Sequence, residues 1–467
     1  MYQNDIISAI ATAPGEGGIG IVRISGAGCA ELAEAMFRAA SGRKLKDYRS
    51  HQAVYGRVLD ENDKVIDEAI CLIMRAPHSY TCEDVIELQC HGGAMALREV
   101  LRRSYQLGAR PAEPGEFTKR AFLNGRLDLS QAQAVMDVIK ARTRDSLRVA
   151  AGHLNGDFSN RIQDMRHIIL GMIAHLEASI DFPEDDIEDV AIEGARLSIE
   201  KLMQKIDKLL SSADTGRILR EGLKTAIIGR PNAGKSSIMN MLLKEQRAIV
   251  TDIPGTTRDS IEEYANIGGI PLVLTDTAGI RETEDTVEKI GVDRARKCLE
   301  SAALILAVLD GSRELSEDDK EVLNLLKDRK VIVLINKNDI GTVLTAEGIA
   351  DELSGLGIDI NIRDIISISA ETGDGLELLE SSIRDIVFAG NVRADEEVFV
   401  SNEGQARLLG QSLEYLGNAM KSIDAGMSED FIVIDLRSAW EALGRITGET
   451  VEEDIIDRIF SEFCIGK

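Results

Sequence analysis

The sequence predicts an α/β and α protein of three domains. These are an α+β N-terminal domain, a helical domain in two segments and, between the segments, an inserted Ras-like P-loop domain rich in parallel strands. Three observations carry this reading. A strand–loop–helix pattern over residues 225–243 surrounds a glycine-rich phosphate loop. Three further short apolar runs each end in a nucleotide-type motif. Helical periodicity flanks that module on both sides, and the 467 residues suit roughly three domains at about 150 residues each.

Residues 1–126 carry short β-like runs, Gly20–Ile24, Glu68–Met74 and Asp84–Leu88, between Gly- and Pro-containing turns, as expected of a separate α+β domain. From about Leu127 to Ile180 the pattern turns helical. Ala134, Val135, Val138 and Ile139, then Ile168, Ile169, Met172, Ile173 and Leu176, recur at helical spacing with no proline between Pro114 and Pro183. Pro183 ends the run, and the acidic stretch 184–189 suits a solvated helix start, where carboxylates face the positive end of the dipole. A second helical stretch, roughly Ala191–Ala213, leads into the module. Beyond it, Asn402–Ile423 and Asp430–Phe463 read as helices. A module with neighbouring termini can be inserted into a host without breaking its core. Residues 127–216 and 385–467 are therefore expected to form one discontinuous helical domain, with 217–384 inserted.

The module holds the chemistry. Gly229-Arg-Pro-Asn232-Ala233-Gly234-Lys235-Ser236 follows the apolar run Thr225–Ile228 and precedes a helix from Ser237. Backbone N–H groups through Ser237 are expected to point at phosphates. Lys235 should reach the β- and γ-phosphates, and Ser236 should place its hydroxyl on Mg²⁺. Asp276-Thr277-Ala278-Gly279 follows Pro271–Thr275, and Asp276 closes the metal shell through water. Asn336-Lys337-Asn338-Asp339 follows Val331–Ile335. The two carboxylate oxygens of Asp339 suit the N1 and N2 donors of guanine, while Asn336 and Lys337 support the base loop. Ser369-Ala370, after Ile365–Ile368, completes the set. Four motifs in this order predict GTP binding.

Between the first two motifs lies Thr251-Asp252-Ile253-Pro254-Gly255-Thr256-Thr257-Arg258, the expected γ-phosphate-sensing loop, with Thr257 a second Mg²⁺ ligand. Ile280 stands where Ras-like proteins carry the glutamine that orients the attacking water, and an isoleucine cannot do so. Hydrolysis then needs another group, with Arg258, Glu282, Glu284, Asp285 and Glu288 as candidates.

Composition narrows the partners. The net charge of −25 repels nucleic acid over most of the surface, so RNA contact is confined to a local basic patch. No apolar run approaches the roughly 18 residues of a membrane span, and the N-terminus lacks a secretory n-region. Six cysteines without a C-x-x-C pair suit reduced thiols and a cytoplasmic setting. His78, Cys82, Cys90 and His91 match no standard zinc spacing, and Trp440, within a helical stretch, reads as core.

These motifs, with the tail Phe463-Cys464-Ile465-Gly466-Lys467, resemble the MnmE (TrmE) family of tRNA-modification GTPases. The resemblance spans the chain, through Gly18–Gly26, Ser79–Leu88, Pro114–Asn124, the Gly255-Thr-Thr-Arg-Asp segment and the Cys-Ile-Gly-Lys terminus. It implies a folate-binding N-terminal domain that also forms the homodimer, and a potassium-activated GTPase. It further implies a flavoprotein partner, MnmG (GidA), in a heterotetramer. Together these act on C5 of the wobble uridine of certain tRNAs, adding an aminomethyl or carboxymethylaminomethyl group. The one-carbon unit would come from tetrahydrofolate in its 5-formyl or 5,10-methylene form. By the same resemblance Asn232, Thr251, Ile253 and Thr256 hold K⁺, and Glu288 is the catalytic carboxylate beside Lys235. The folate contacts fall on Arg23, Glu87, Arg126 and Lys467. Some members have lysine at position 126, so charge is kept there while geometry changes. Cys464 either acts in the modification chemistry or packs as a small residue beside a docked C-terminus. The competing expectation is a ribosome-assembly or RNA-binding switch GTPase, which usually appends a basic RNA-binding domain that this acidic chain lacks.

Overall fold

Alternating apolar and polar residues build the first sheet. In the computed structural model, which describes residues 5–181, 188–244, 262–275, 302–327, 329–358, 364–388 and 398–467, seven N-terminal strands form one sheet. They are β1 (Ile7–Ile10), β2 (Gly17–Ser25), β3 (Phe37–Ala39), β4 (Gln52–Leu59), β5 (Val65–Met74), β6 (Val85–Gly92) and β7 (Arg110–Pro111), in the order β3-β4-β5-β6-β2-β1-β7. All neighbours are antiparallel except β1 and β7. In β4, Val54 and Val58 turn inward while Tyr55 and Arg57 face solvent, the period-2 pattern of a sheet covered on one face. The helices Cys29–Met36 and Ala94–Gln106 supply that cover: Ala33, Met36, Leu97 and Val100 share a buried cluster with Val22, Ile24, Cys71 and Leu88. Of these strands the sequence runs anticipated β2, β5 and β6.

The helical stretch expected from Leu127 to Ile180 is three helices, Leu129–Lys140, Arg144–Asn155 and Asp157–Asp181. Capping chemistry sets the breaks. Asp128 and Gln131 form a reciprocal capping box at the first start. Thr143 accepts from the Ser146 amide at the second. Glu188–Ser211 and Ala213–Glu221 follow, and after the inserted domain come Glu403–Asp424, Glu429–Thr447 and Glu453–Ser461. The second segment does not form a core of its own. Leu409, Leu416, Leu436 and Leu443 are buried with Ile162, Ile169, Leu176 and Leu202 in one cluster. Trp440 packs against that cluster with the Arg166 guanidinium 4.1 Å from its ring centroid.

The insertion is closed at its neck. Thr215 Oγ1 donates to the Val387 carbonyl at 2.8 Å, and the Val400 amide donates to Ser212 Oγ at 3.2 Å, so the chain leaves and re-enters the helical domain at one place. Within the insertion, β8 (Leu223–Ile228), β9 (Glu262–Ile267), β10 (Ile270–Thr275), β11 (Leu304–Asp310), β12 (Val331–Asn336) and β13 (Ile365–Ser367) form a sheet ordered β13-β12-β11-β8-β10-β9, parallel except for β9. Every residue of β11 and β12 is buried. Alternate residues feed opposite faces: Leu306, Val308, Ile332 and Leu334 join one cluster, and Ile305, Ala307, Val333 and Ile335 the other. A continuous apolar strand therefore means a sheet covered on both sides.

The C-terminus returns to the first domain. The Phe117 amide donates to the Lys467 carbonyl at 3.1 Å, the Gly115 amide to the Cys464 carbonyl at 3.3 Å, and Arg23 Nη1 to the Gly466 carbonyl at 3.3 Å. Gly466 has φ 93°, and a Cβ there would stand 2.3 Å from the Ile10 carbonyl oxygen. Alanine in a left-handed conformation costs roughly 1–2 kcal/mol before any clash. Gly466→Ala is thus expected to raise the undocked fraction of the tail by about tenfold or more, since ~1.4 kcal/mol is a factor of ten. Carboxypeptidase release of Lys467 measures it; a release rate equal to that of the unsubstituted chain would contradict the docking.

Candidate functional site

Three of the four predicted motifs meet at one edge of the parallel sheet, beyond the C-terminal ends of β8, β12 and β13, where ligands bind in open α/β sheets. The phosphate loop occupies the turn from β8 into the helix Lys235–Lys244. Ala233 is buried, while Asn232, Ser236 and Ser237 are exposed around the positive end of that helix. Lys235 Nζ donates to the carbonyls of Gly229 at 2.8 Å and Arg230 at 2.9 Å, arching over the loop.

Asn336, 2 % exposed, joins the motifs. Its Nδ2 donates to the Ala233 carbonyl at 3.0 Å, and its Oδ1 accepts from the Ala370 amide at 3.1 Å. Gly234, at φ 101°, leaves room for this: a Cβ there would lie 2.1 Å from Asn336 Nδ2. Ser369 is fully buried, and its hydroxyl donates to Asp339 Oδ1 at 2.6 Å, fixing a carboxylate whose residue is otherwise exposed. Lys337 Nζ donates to the Asn232 carbonyl at 3.0 Å and to Asp310 Oδ2 at 2.8 Å.

Asp310, the last residue of β11, was absent from the sequence reading although Asp-Gly-Ser after an apolar strand was there to be read. Burial pushes its carboxyl pKa up, but the hydrogen bonds from Lys337 and Ser312 outweigh that and hold it below the ordinary carboxylate range. The second motif begins one residue beyond Thr275, where β10 ends on the same edge, parallel to β8. Asp276, Thr277, Ala278 and Gly279 lie outside the described residues, as do Thr251, Asp252, Ile253, Pro254, Gly255, Thr256 and Thr257. Arg258, Ile280, Glu282, Glu284, Asp285 and Glu288 lie outside them too.

A second site lies where the first domain, the helical domain and the C-terminus meet. Arg23, Tyr80, Arg126, Lys467 and the helical-domain residues Val135 and Leu154 line a cavity of ≈ 250 Å³. Arg23 Nε donates to Glu87 Oε1 at 2.8 Å across the β2–β6 register, in which the two residues are directly paired. The Arg126 guanidinium stands 4.8 Å from the Tyr80 ring centroid and donates to the Tyr80 carbonyl at 2.8 Å. Burial first, then the charge of Arg23, pull the Lys467 ammonium below the ordinary lysine range. All four predicted residues thus come together. Tyr80, Val135 and Leu154 were missed, because only the folded chain brings the helices Leu129–Lys140 and Arg144–Asn155 to this cavity.

A clustered cation set beside a carboxylate suits a ligand with an acidic tail and a donor-bearing edge, as folate has. At ≈ 250 Å³ the cavity is on the small side for the whole of such a molecule. Of His78, Cys82, Cys90 and His91, Cys90 is buried and His91 Nδ1 lies 2.7 Å from Asp67. Among the described residues no three His, Cys, Asp or Glu side chains are grouped to hold a metal. None of the described helices is long and apolar enough to cross a membrane.

Comparison with known proteins identifies relatives over the whole chain. The model of the GTP-binding protein TrmE N-terminus matches residues 6–126, and that of the MnmE helical domain matches 129–464. The tRNA modification GTPase MnmE of Heliobacterium modesticaldum is 50 % identical over 469 residues, covering 99 % of each chain. Those of Desulforamulus reducens and Clostridioides difficile are 48 % and 47 % identical, covering 99 % and 100 % of this chain and all of their own. The chain belongs to the MnmE family of tRNA modification GTPases.

Cys464 is exposed, its carbonyl accepting from the Gly115 and Lys467 amides, whereas Cys29, Cys71 and Cys90 are buried. Burial pushes each of those three thiols up to about 12. At pH 8 such a thiol is thiolate in only about one molecule in ten thousand, and the thiolate is the reactive form. In a brief iodoacetamide pulse on the native protein, Cys464 is expected to be alkylated first, and Cys29, Cys71 and Cys90 only after unfolding. Peptide mass mapping reads the order; prompt labelling of the buried three would contradict the packing.

Proposed function

We propose that this MnmE-family chain is a GTP hydrolase that modifies C5 of the wobble uridine of certain tRNAs. It would add an aminomethyl or carboxymethylaminomethyl group with a folate one-carbon unit and an MnmG-type flavoprotein partner. The observation that carries the reading is the Asn336 side chain, which ties the phosphate loop to the Ser369-Ala370 loop. In this reading the domains are 1–126, 127–216 with 385–467, and 217–384. The first mediates the homodimer, and the flavoprotein completes a heterotetramer.

The roles follow from position and chemistry. Amides from Asn232 to Ser237 cradle the phosphates, with Lys235 offsetting charge that builds on the transferring phosphoryl. Ser236 and Thr257 take Mg²⁺, with Asp276 in its water shell, and Thr277 to Gly279 sit against the γ-phosphate. Asp339 accepts from the guanine N1 and N2 donors, held in place by Ser369, while Ala370 and Asn336 close the base loop. Asn232, Thr251, Ile253 and Thr256 offer oxygens to K⁺, which when bound supplies the positive charge that other GTPases take from an arginine finger. Glu288 orients the water in place of the glutamine that Ile280 excludes. Arg23, Glu87, Arg126 and Lys467 hold the folate, and the exposed thiol of Cys464 stands near it for the uridine chemistry.

Base choice and tRNA chemistry test this together. Asp339→Asn replaces one acceptor with a donor that suits a C2 carbonyl rather than the guanine amino group. It should weaken GTP binding about 10–100-fold, as expected for a lost charge-assisted hydrogen bond of ~1.5–3 kcal/mol, and shift preference toward xanthosine triphosphate. In a strain lacking this protein, nucleoside analysis should show unmodified wobble uridine, restored by the unsubstituted chain and not by Asp339→Asn. Unchanged wobble uridines in that strain would remove the modification reading in favour of a switch GTPase. Equal GTP affinity of Asp339→Asn would remove the base assignment.

A further inference from the structure

We propose that Asp310 is a positioning residue for nucleotide binding, acting through Lys337 on the phosphate loop. This rests on the reading of the motif cluster as a guanine-nucleotide site. Asp310 ends β11 between β8 and β12, with 7 % of its side chain exposed. Its two oxygens have separate duties. Oδ1 accepts from the Ser312 amide at 3.2 Å and hydroxyl at 2.6 Å, which shapes the turn. Oδ2 accepts from Lys337 Nζ at 2.8 Å and lies 3.4 Å from the Arg313 guanidinium.

Lys337 is a point charge on a flexible stem, so what it holds depends on what holds it. Its ammonium also donates to the Asn232 carbonyl at 3.0 Å. One ammonium therefore links a buried carboxylate beneath the site to the backbone of the phosphate loop, from a residue that belongs to the base loop. The turn after Asp310 is stitched to the same loop: the Gly311 amide donates to the Asn336 carbonyl at 2.7 Å, and the Val343 amide donates to the Gly311 carbonyl at 2.8 Å. Asp310 thus sets the spacing between the loop that takes phosphate and the loop that takes the base. A nucleotide spanning both gains affinity from that spacing being fixed before it binds. Asp310 makes none of the proposed contacts with nucleotide; it acts through Lys337.

Asparagine separates the two duties, because Asp310→Asn keeps an oxygen for Ser312 and turns an amide toward Lys337. The experiment measures GDP affinity and dissociation rate on the full chain with Mg²⁺, by calorimetry and stopped flow. The variants are Asp310→Asn, Lys337→Met, the pair together, Ser312→Ala and Asp339→Asn. Asp310→Asn should weaken GDP binding about tenfold, the scale of one charge-assisted hydrogen bond. Lys337→Met should weaken it at least as much, and the pair no more than Lys337→Met alone, because the substitutions share one path. Ser312→Ala should leave GDP affinity unchanged.

A positioning role through Lys337 is overturned if Asp310→Asn binds GDP as the unsubstituted chain does. It is overturned too if Asp310→Asn costs the same factor with Lys337→Met present, or if Ser312→Ala alone reproduces the loss, since either outcome makes Asp310 a turn residue. A failure of the underlying site reading shows differently: Lys337→Met and Asp339→Asn would then both leave GDP affinity unchanged.

Discussion

One buried amide organises the nucleotide-binding edge. Asn336 has a donor and an acceptor on a side chain that is almost wholly out of water, and both are satisfied by backbone groups of other loops. A buried amide left unpaired costs on the order of 1–3 kcal/mol, so Asn336 stays put only when Ala233 and Ala370 are both in place. Those partners are placed by the strands. β8, β11 and β12 lie side by side in parallel register, with Asp310 opposite Asn336 and Ala307 opposite Ile228. These strands, buried throughout in β11 and β12 and in all of β8 but Lys224, supply the rigidity, and the polar groups at their ends convert it into loop geometry.

The inserted domain is not isolated from its host. Arg142, in the break between two host helices, stacks over Tyr264 of β9 with its guanidinium carbon 3.3 Å from the ring centroid. Arg384 donates to the Gly268 carbonyl in the β9–β10 turn and lies 3.7 Å from Asp145 of the host helix Arg144–Asn155. That same helix carries Leu154 to the second cavity. The host helices therefore touch the sheet edge strand on one side and the cavity of Arg23, Arg126 and Lys467 on the other. A packed element in contact with both is a physical connection between them.

How much could be read beforehand depended on the range of the forces involved. Nucleotide chemistry restricts residue types at fixed local spacing, so Lys235, Asn336, Asp339 and Ser369 stood out and come together at one edge. The buried strand β12 and the buried part of β8 were visible as the continuous apolar runs Val331–Ile335 and Thr225–Ile228. The seven-stranded N-terminal sheet was only partly visible. β4 alternates polar and apolar residues through Tyr55 and Arg57, and β1, β3 and β7 are two to four residues long, pinned by neighbours rather than by their own pattern. The periodicity from 127 to 180 ran through two helix breaks because the caps at Thr143 and Gly156 occupy single positions. Contacts such as Arg142 with Tyr264, Tyr80 with Arg126 or Lys337 with Asp310 join residues tens to hundreds of positions apart, and no local spacing announces them.

The second cavity depends on residues far apart in the chain being held together. The whole tail from Phe460 to Lys467 is threaded between domains: Phe460 and Phe463 pack with Leu129, Ala132 and Met136 of the first host helix. Lys119 of the N-terminal domain pairs with Asp457 on the last helix. The terminal carbonyl then completes the amide of Phe117, whose ring lies 5.5 Å from the Arg23 guanidinium. Arg23 is thus held from three directions: by the Glu87 carboxylate across the sheet, by the Gly466 carbonyl from the tail, and by the faces of Tyr80 and Phe117. In a protein of net charge −25, collecting Arg23, Arg126 and Lys467 around one small cavity opposes the surrounding field rather than following it. Gathering like charges at partial burial costs free energy, and the depressed Lys467 ammonium is the local sign of that cost. A negative charge placed among these cations would offset part of that cost.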